Sequence, residues 1–212
     1  MSDGASEQNT GRTISQGRHK IMLVTTINGS PRAHGNTDAI LSEALRAFSE
    51  RNAEVRRYQL GNIAVGLCRG CKSCFSGDGK CVQTDDIQKV IADIIASDLV
   101  ILASPSYWGD VTAQTKIFID RCMPYCNTNP ARRMPSHQTK GAAIAIRAGS
   151  RRAENEKLIG TFEHFLGHLD IPLVSNFTVE RMDTVDDLRA RPEVLTDAYR
   201  FGEKLFDMIS AR

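Results

Sequence analysis

Five short runs rich in apolar residues alternate along the chain with longer segments whose apolar residues recur at helical spacing. The runs are KIMLVTTI (20–27), EVRRYQL (54–60), LVILAS (99–104), GAAIAIRAG (141–149) and IPLVSNFTV (171–179). Between the first two, NTDAILSEALRAFSERN (36–52) sets Ile40, Leu41, Ala44, Leu45 and Phe48 on one helical face. DDIQKVIADIIASD (85–98) repeats that stripe through Ile87, Val90, Ile91, Ile94 and Ile95, with Thr84 as the expected N-cap. Asp85 and Asp86 suit the positive end of that helix's dipole. Further helical segments are expected near 112–123, 153–169 and 185–210. Strands that are continuously apolar, rather than alternating, are buried on both faces. Strands of that kind separated by helices predict an α/β fold with one open, five-stranded parallel sheet and helices on both sides. The longest irregular stretches are 61–83 and 124–140.

The chain's 212 residues suit one domain, here 20–212. A net charge of +2, with basic residues scattered, predicts neither nucleic-acid nor membrane attraction. No apolar run reaches the roughly 18 residues that span a bilayer. The polar opening MSDGASEQNTGRTISQGRH (1–19) lacks the apolar core of a secretory signal and reads as a disordered leader. A cytoplasmic location follows as the expectation, with thiols kept reduced.

In an open parallel sheet, ligands bind beyond the carboxyl ends of the strands. The first such end carries NGSPRAHGNTD (28–38), where Gly29 and Gly35 offer unusual backbone angles and close approach. Ser30, Asn36, Thr37 and Arg32 supply donors, and the loop opens onto a helix N-terminus, a natural seat for phosphate. It is neither a Walker loop nor a G-x-G-x-x-G fingerprint, so a phosphate monoester fits better than a nucleoside triphosphate or dinucleotide. The third strand runs into SPSYWGDVTAQTKIFIDR (104–121), where Pro105, Tyr107 and Trp108 at the strand's carboxyl end point to a flat aromatic ligand, the other reading being cover for a helix end or a subunit contact. After the fourth strand comes RAGSRRAEN (147–155), with Gly149, Ser150 and three arginines.

GSPRAHGNT followed by SPSYWGDVTAQTKIFIDR resembles the NADPH-dependent FMN reductase family over nearly the whole chain from Lys20. The resemblance implies a flavodoxin-like three-layer sandwich with strand order 2-1-3-4-5. It places the FMN phosphate on Ser30, Arg32, Gly35, Asn36 and Thr37, and the isoalloxazine against Pro105, Ser106, Tyr107, Trp108 and Gly109. Ala148 and Gly149 border the ring's other edge, although many relatives carry several glycines where this chain has Arg147-Ala148-Gly149-Ser150. NAD(P)H is the implied co-substrate, and self-association as a homodimer or homotetramer is implied too. Tyr107, Trp108 and the 124–140 stretch are candidates for that contact.

CRGCKSCFSGDGKC (68–81) is similar to the compact cysteine motif of the iron-sulfur flavoprotein subgroup. The similarity implies a [4Fe-4S] cluster on Cys68, Cys71, Cys74 and Cys81, with Gly77 and Gly79 turning the chain so that Cys81 closes the site. Free thiols, zinc and a redox disulfide are the other readings, zinc disfavoured by the lack of two separated C-x2-C knuckles. Cys122 and Cys126 read as buried, apolar-like residues, and His164 with His168, four apart on a helix, reads as packing more readily than metal binding. No acid, base or nucleophile constellation is visible, so no catalytic side chain is assigned and the chemistry falls to a cofactor. The leading expectation is an oxidoreductase passing electrons from NAD(P)H through FMN, and through the cluster, to a small-molecule or redox-protein acceptor. The alternatives are a flavodoxin-like carrier reduced by a protein partner, and a metal-dependent sensing module.

Overall fold

The computed structural model describes residues 21–132 and 134–211, so the leader expected at 1–19 lies outside the described residues. Five strands form one sheet: β1 (Leu23–Asn28), β2 (Glu54–Gln59), β3 (Leu99–Pro105), β4 (Lys140–Ile146) and β5 (Leu173–Val179). All pairings are parallel and the order is β2-β1-β3-β4-β5. Ile27 of β1 lies between Tyr58 of β2 and Leu102 of β3 in the register. Strand β3 is buried through Ser104, whereas β2, with its arginines, is a half-exposed edge.

Helices cover both faces: α1 (Asn36–Ser49), α2 (Ile87–Ala96), α3 (Ala113–Arg121), α4 (Arg152–His168), α5 (Val185–Arg189) and α6 (Glu193–Ser210). Because side chains alternate along a strand, β3 serves two cores at once. Leu99 and Ile101 pack with Leu41 and Phe48 of α1 and Leu205 of α6. Val100 and Leu102 pack with Ile91 of α2, Phe118 of α3 and Phe162 of α4. Helix α6 lies close on α1 because Gly202 has no Cβ; one there would stand 2.0 Å from the Ala44 carbonyl oxygen.

Two local expectations fail. The single C-terminal helix expected over 185–210 is two helices, broken at Pro192, which lacks an amide donor and begins α6 instead. Thr84 does not cap α2; Asp86 occupies the cap position, while the Asp85 carboxylate accepts from the Ile87 amide at 3.3 Å. Both aspartates are drawn instead to the loop that follows β2. Asp86 takes the Ala64 amide at 2.8 Å and Asp85 the Gly66 amide at 3.1 Å.

Candidate functional site

The strand order reverses between β1 and β3, and the loops leaving them meet there, as the crevice rule for such sheets requires. A small cavity of about 70 Å³ is lined by Ser30, Arg32, Gly35, Asn36 and Thr37 from the first loop and Pro105, Ser106 and Tyr107 from the second. Ile146 at the end of β4, with Arg147 and Ala148 just beyond it, closes one side, and Met182 and Asp183 of the loop after β5 another. Ser106, Arg147 and Ala148 also border a wider, open space of about 570 Å³ that includes Trp108, Gly109, Glu154 and Lys157. The site is therefore a trough with a narrow end and a broad one.

At the narrow end, α1 begins at Gly35 with no side-chain cap, so the amides of its first turn have no side-chain acceptor and the positive dipole end faces the loop. Gly35 sits at a φ of −81°, an ordinary angle, and His34 at +59° takes the left-handed turn, so the expected special angles fall one residue earlier. Gly29 matters for close approach: a Cβ there would stand 1.9 Å from Thr115 Oγ1. Its own carbonyl accepts from Thr112 Oγ1 at 2.6 Å, and Thr112 also caps α3, which ties the first loop to the second.

Arg32 Nη1 donates to the Asp183 carbonyl at 3.3 Å and Asn36 Nδ2 to the Thr184 carbonyl at 2.7 Å. Both side chains thus reach across the trough to the loop after β5. Three buried polar atoms around it, Asn36 Oδ1, Ser106 Oγ and Arg147 Nε, have no partner among the described residues. An unpaired buried polar atom is costly in an apolar site, so such atoms mark where a polar ligand fits.

At the broad end, Trp108 and Gly109 form the tip of a two-residue hairpin closed by reciprocal Tyr107–Asp110 backbone bonds of 2.9 and 3.1 Å. Both adopt left-handed angles, +55° and +70°, and the Trp108 side chain is fully exposed. Gly149 lies outside the trough lining; it makes room for Arg147, whose guanidinium a Cβ there would meet at 2.4 Å. Arg147 is largely buried, paired with Glu154 at 3.0 Å and donating to the Arg151 carbonyl at 2.8 Å. The sequence alone assigned no role at the trough to Ile146, Met182 or Asp183.

The cysteine loop forms a second cavity, of about 30 Å³, bordered by Cys68, Cys71, Cys74 and Cys81 together with Arg121, Gln83 and Pro124. Gly70, Lys72, Gly77 and Gly79 all adopt left-handed angles, which supply the chain reversals of this loop. Ser73 holds the Cys71 thiol below its ordinary pKa through its hydroxyl and amide. Burial, then the neighbouring Cys81, Cys68 and Cys71, push Cys74 up. Among the described residues no three metal-ligating side chains converge on one point as a single ion requires. The four thiols instead share the lining of this one small cavity. Cys122 and Cys126 are buried, as expected. His164 and His168 stack edge to face, with His168 Nδ1 against Asn127 Oδ1 at 3.0 Å.

A larger cavity, of about 850 Å³, lies by Met22, Ser97 and Asp98 and carries none of these devices. Among the described residues no helix is long and apolar enough to cross a membrane.

Residues 22–181 match the family described as NADPH-dependent FMN reductase. An iron-sulfur flavoprotein of Archaeoglobus fulgidus is 37% identical over 63% of this chain and 58% of its own length. An iron-sulfur flavoprotein of Methanocaldococcus jannaschii is 33% identical over 68% of this chain and 70% of its own. The chain thus spans little more than half of the first relative. Among solved structures, an NAD(P)H:quinone oxidoreductase from Methanothermobacter marburgensis superposes with a TM-score of 0.67 at 16% identity, covering 87% of this chain and 99% of that one.

Proposed function

The chain belongs to the NADPH-dependent FMN reductase family, and from that premise we propose that it binds FMN in the strand-end trough and oxidises NAD(P)H there. The observation that carries the reading is the coincidence of an uncapped helix start with three unpartnered buried polar atoms along one trough. The narrow end fits a phosphate: the first-turn amides of α1, Ser30, Thr37 and the Arg32 guanidinium are its donors. The broad end fits the ring, with Pro105, Ser106, Tyr107 and Ala148 along it and Trp108 and Gly109 at its mouth. FMN, when bound, supplies two-electron acceptance from a nicotinamide and one-electron release. The protein's part is to seat the phosphate, hold the ring at the β1–β3 crevice and limit water on its buried side. No side chain is needed as acid or base.

The four cysteines support a second cofactor. They border one cavity, affect one another's ionisation, and lie in a motif similar to that of relatives named iron-sulfur flavoproteins. We read Cys68, Cys71, Cys74 and Cys81 as ligands of a [4Fe-4S] cluster, which supplies a one-electron station. The acceptor is a small molecule or redox protein, and self-association through the Tyr107–Trp108 hairpin covers the open end of the trough.

Anaerobic purification and reconstitution test both parts. Released flavin should be FMN, and NAD(P)H should be consumed rapidly, which a carrier reduced only by a protein would not do. Cys71→Ser should remove the iron and sulfide while FMN stays. FAD in place of FMN would sink the phosphate assignment, and full iron content in Cys71→Ser would sink the cluster assignment.

A further inference from the structure

The largest fully buried side chain among the described residues is a charged one, Arg121 at the end of α3, 1% exposed. Its guanidinium forks onto Asp85, with Nη1 at 2.5 Å from Oδ2 and Nη2 at 3.1 Å from Oδ1, and Nη1 also donates to the Gly66 carbonyl at 2.8 Å. Asp85 takes the Gly66 amide in return. The chain entering the cysteine loop is therefore clamped to the chain leaving it, and Gln83 adds a bond to the Leu67 carbonyl at 3.0 Å. This clamp ties together the two ends of the loop that carries Cys68 and Cys81. Midway, Asn129 Nδ2 holds the Cys74 carbonyl at 2.9 Å.

A buried ion pair is seldom the most stable filling for such a space, since apolar residues of equal volume commonly do as well. Its placement suggests a different role. Arg121 borders the cysteine cavity, its Nε has no partner among the described residues, and Cys81 is near enough to act on the guanidinium. Helix α3, nine residues or about 14 Å long, is capped by Thr112, which is bonded to Gly29 of the loop after β1, and ends at Arg121. One rigid element thus holds the flavin crevice at one end and the cysteine cavity at the other.

We propose that Arg121 is the positioning residue of the cysteine site: it closes the loop around the cluster and, as a buried cation beside it, makes the cluster easier to reduce. The inference rests on the cluster reading above. A cubane held by four thiolates is anionic and becomes more so on reduction, so a fixed cation favours the reduced form. Net charge and hydrogen bonds to the sulfurs are the main settings of such potentials. Asp85 moderates the effect, because its carboxylate offsets part of the guanidinium charge.

The two residues therefore predict shifts of opposite sign. In full-length protein reconstituted with iron and sulfide, cluster reduction is titrated with dithionite and followed by electron paramagnetic resonance. Arg121→Gln should reduce the equilibrium constant for one-electron reduction at least about tenfold, a shift of about 59 mV to more negative potential. Asp85→Asn should shift it the other way. Arg121→Lys should keep most of the potential but release iron to a chelator faster, because an ammonium cannot fork. FMN content should be equal in all. Shifts of the same sign in Arg121→Gln and Asp85→Asn would mean loop distortion rather than charge, and would overturn the proposal, as would no shift in either. Should Arg121→Gln fail to fold, the direction of the Asp85→Asn shift decides alone. A wild-type protein that takes up no iron overturns the cluster reading itself; iron-loaded wild type with unshifted variants overturns only the role of Arg121.

Discussion

Replacing Arg32 by alanine isolates the phosphate end of the trough. Among the described residues the exposed Arg32 guanidinium makes one bond, to the neutral Asp183 carbonyl at 3.3 Å. A bond that long at an exposed position lies at the low end of the usual range, about 0.5 kcal/mol. Exchanging it for a charge-assisted bond to a phosphate, worth about 1.5–3 kcal/mol, leaves a net gain of about 1–2.5 kcal/mol. Arg32→Ala should then weaken FMN by about five- to seventyfold. Riboflavin has the same ring and ribityl chain but no phosphate, so its affinity should hardly change. The assay is a titration of apoprotein with each flavin, read by quenching of flavin fluorescence. Because the guanidinium is solvent-exposed, the difference should shrink as salt rises and the screening length falls below about 10 Å. Equal losses for FMN and riboflavin would refute the assignment, because the arginine would then be shaping the loop rather than meeting the phosphate.

Three further outcomes are expected. Gly29→Ala drives a Cβ into Thr115 Oγ1, which is already bonded to Thr112 at 2.9 Å; it should cost about 1–3 kcal/mol in thermal or denaturant unfolding and weaken FMN, and an unchanged melting curve would contradict the packing. Burial raises the Asp85 pKa, but the Arg121 fork and the Gly66 and Ile87 amides outweigh it and leave it below the ordinary value. Its stabilisation is therefore full above the ordinary carboxylate value near 4 and lost as pH falls through the lower folded one; the acid limb of the stability curve should be shallower in Asp85→Asn, and parallel limbs would refute the linkage. Trp108→Ala, which removes a fully exposed ring, should shift sedimentation of the FMN-loaded protein toward monomer, and an unshifted distribution would place the subunit contact elsewhere.

What could be read from the sequence follows from where each interaction keeps its information. The sheet was legible because burial on both faces of a strand writes itself as a continuous apolar run, as in LVILAS, and parallel pairing follows from the helices between runs. The first two loops of the trough were legible because their chemistry sits in side chains at predictable strand ends. The loop after β5 escaped notice because it contributes mainly carbonyls, those of Asp183 and Thr184, which have no sequence signature. Topology alone would have found it, since every parallel strand of one sheet ends on the same edge. Asp85 was read as a dipole partner of α2, a local interaction, yet its carboxylate is claimed chiefly by Arg121, 36 positions away. Arg121 itself, closing the run KIFIDR, carries no local pattern that sets it apart from other arginines. Only the fold, by stacking the end of α3 against the mouth of the cysteine loop, turns two ordinary surface charges into a buried pair. Local pattern therefore locates what a ligand touches, while long-range pairing decides how firmly the touching groups are held. The cysteine site depends more on the second: its four thiols are close in sequence, but its closure rests on Asp85, just before α2, and Arg121 of α3, which no cysteine spacing reveals.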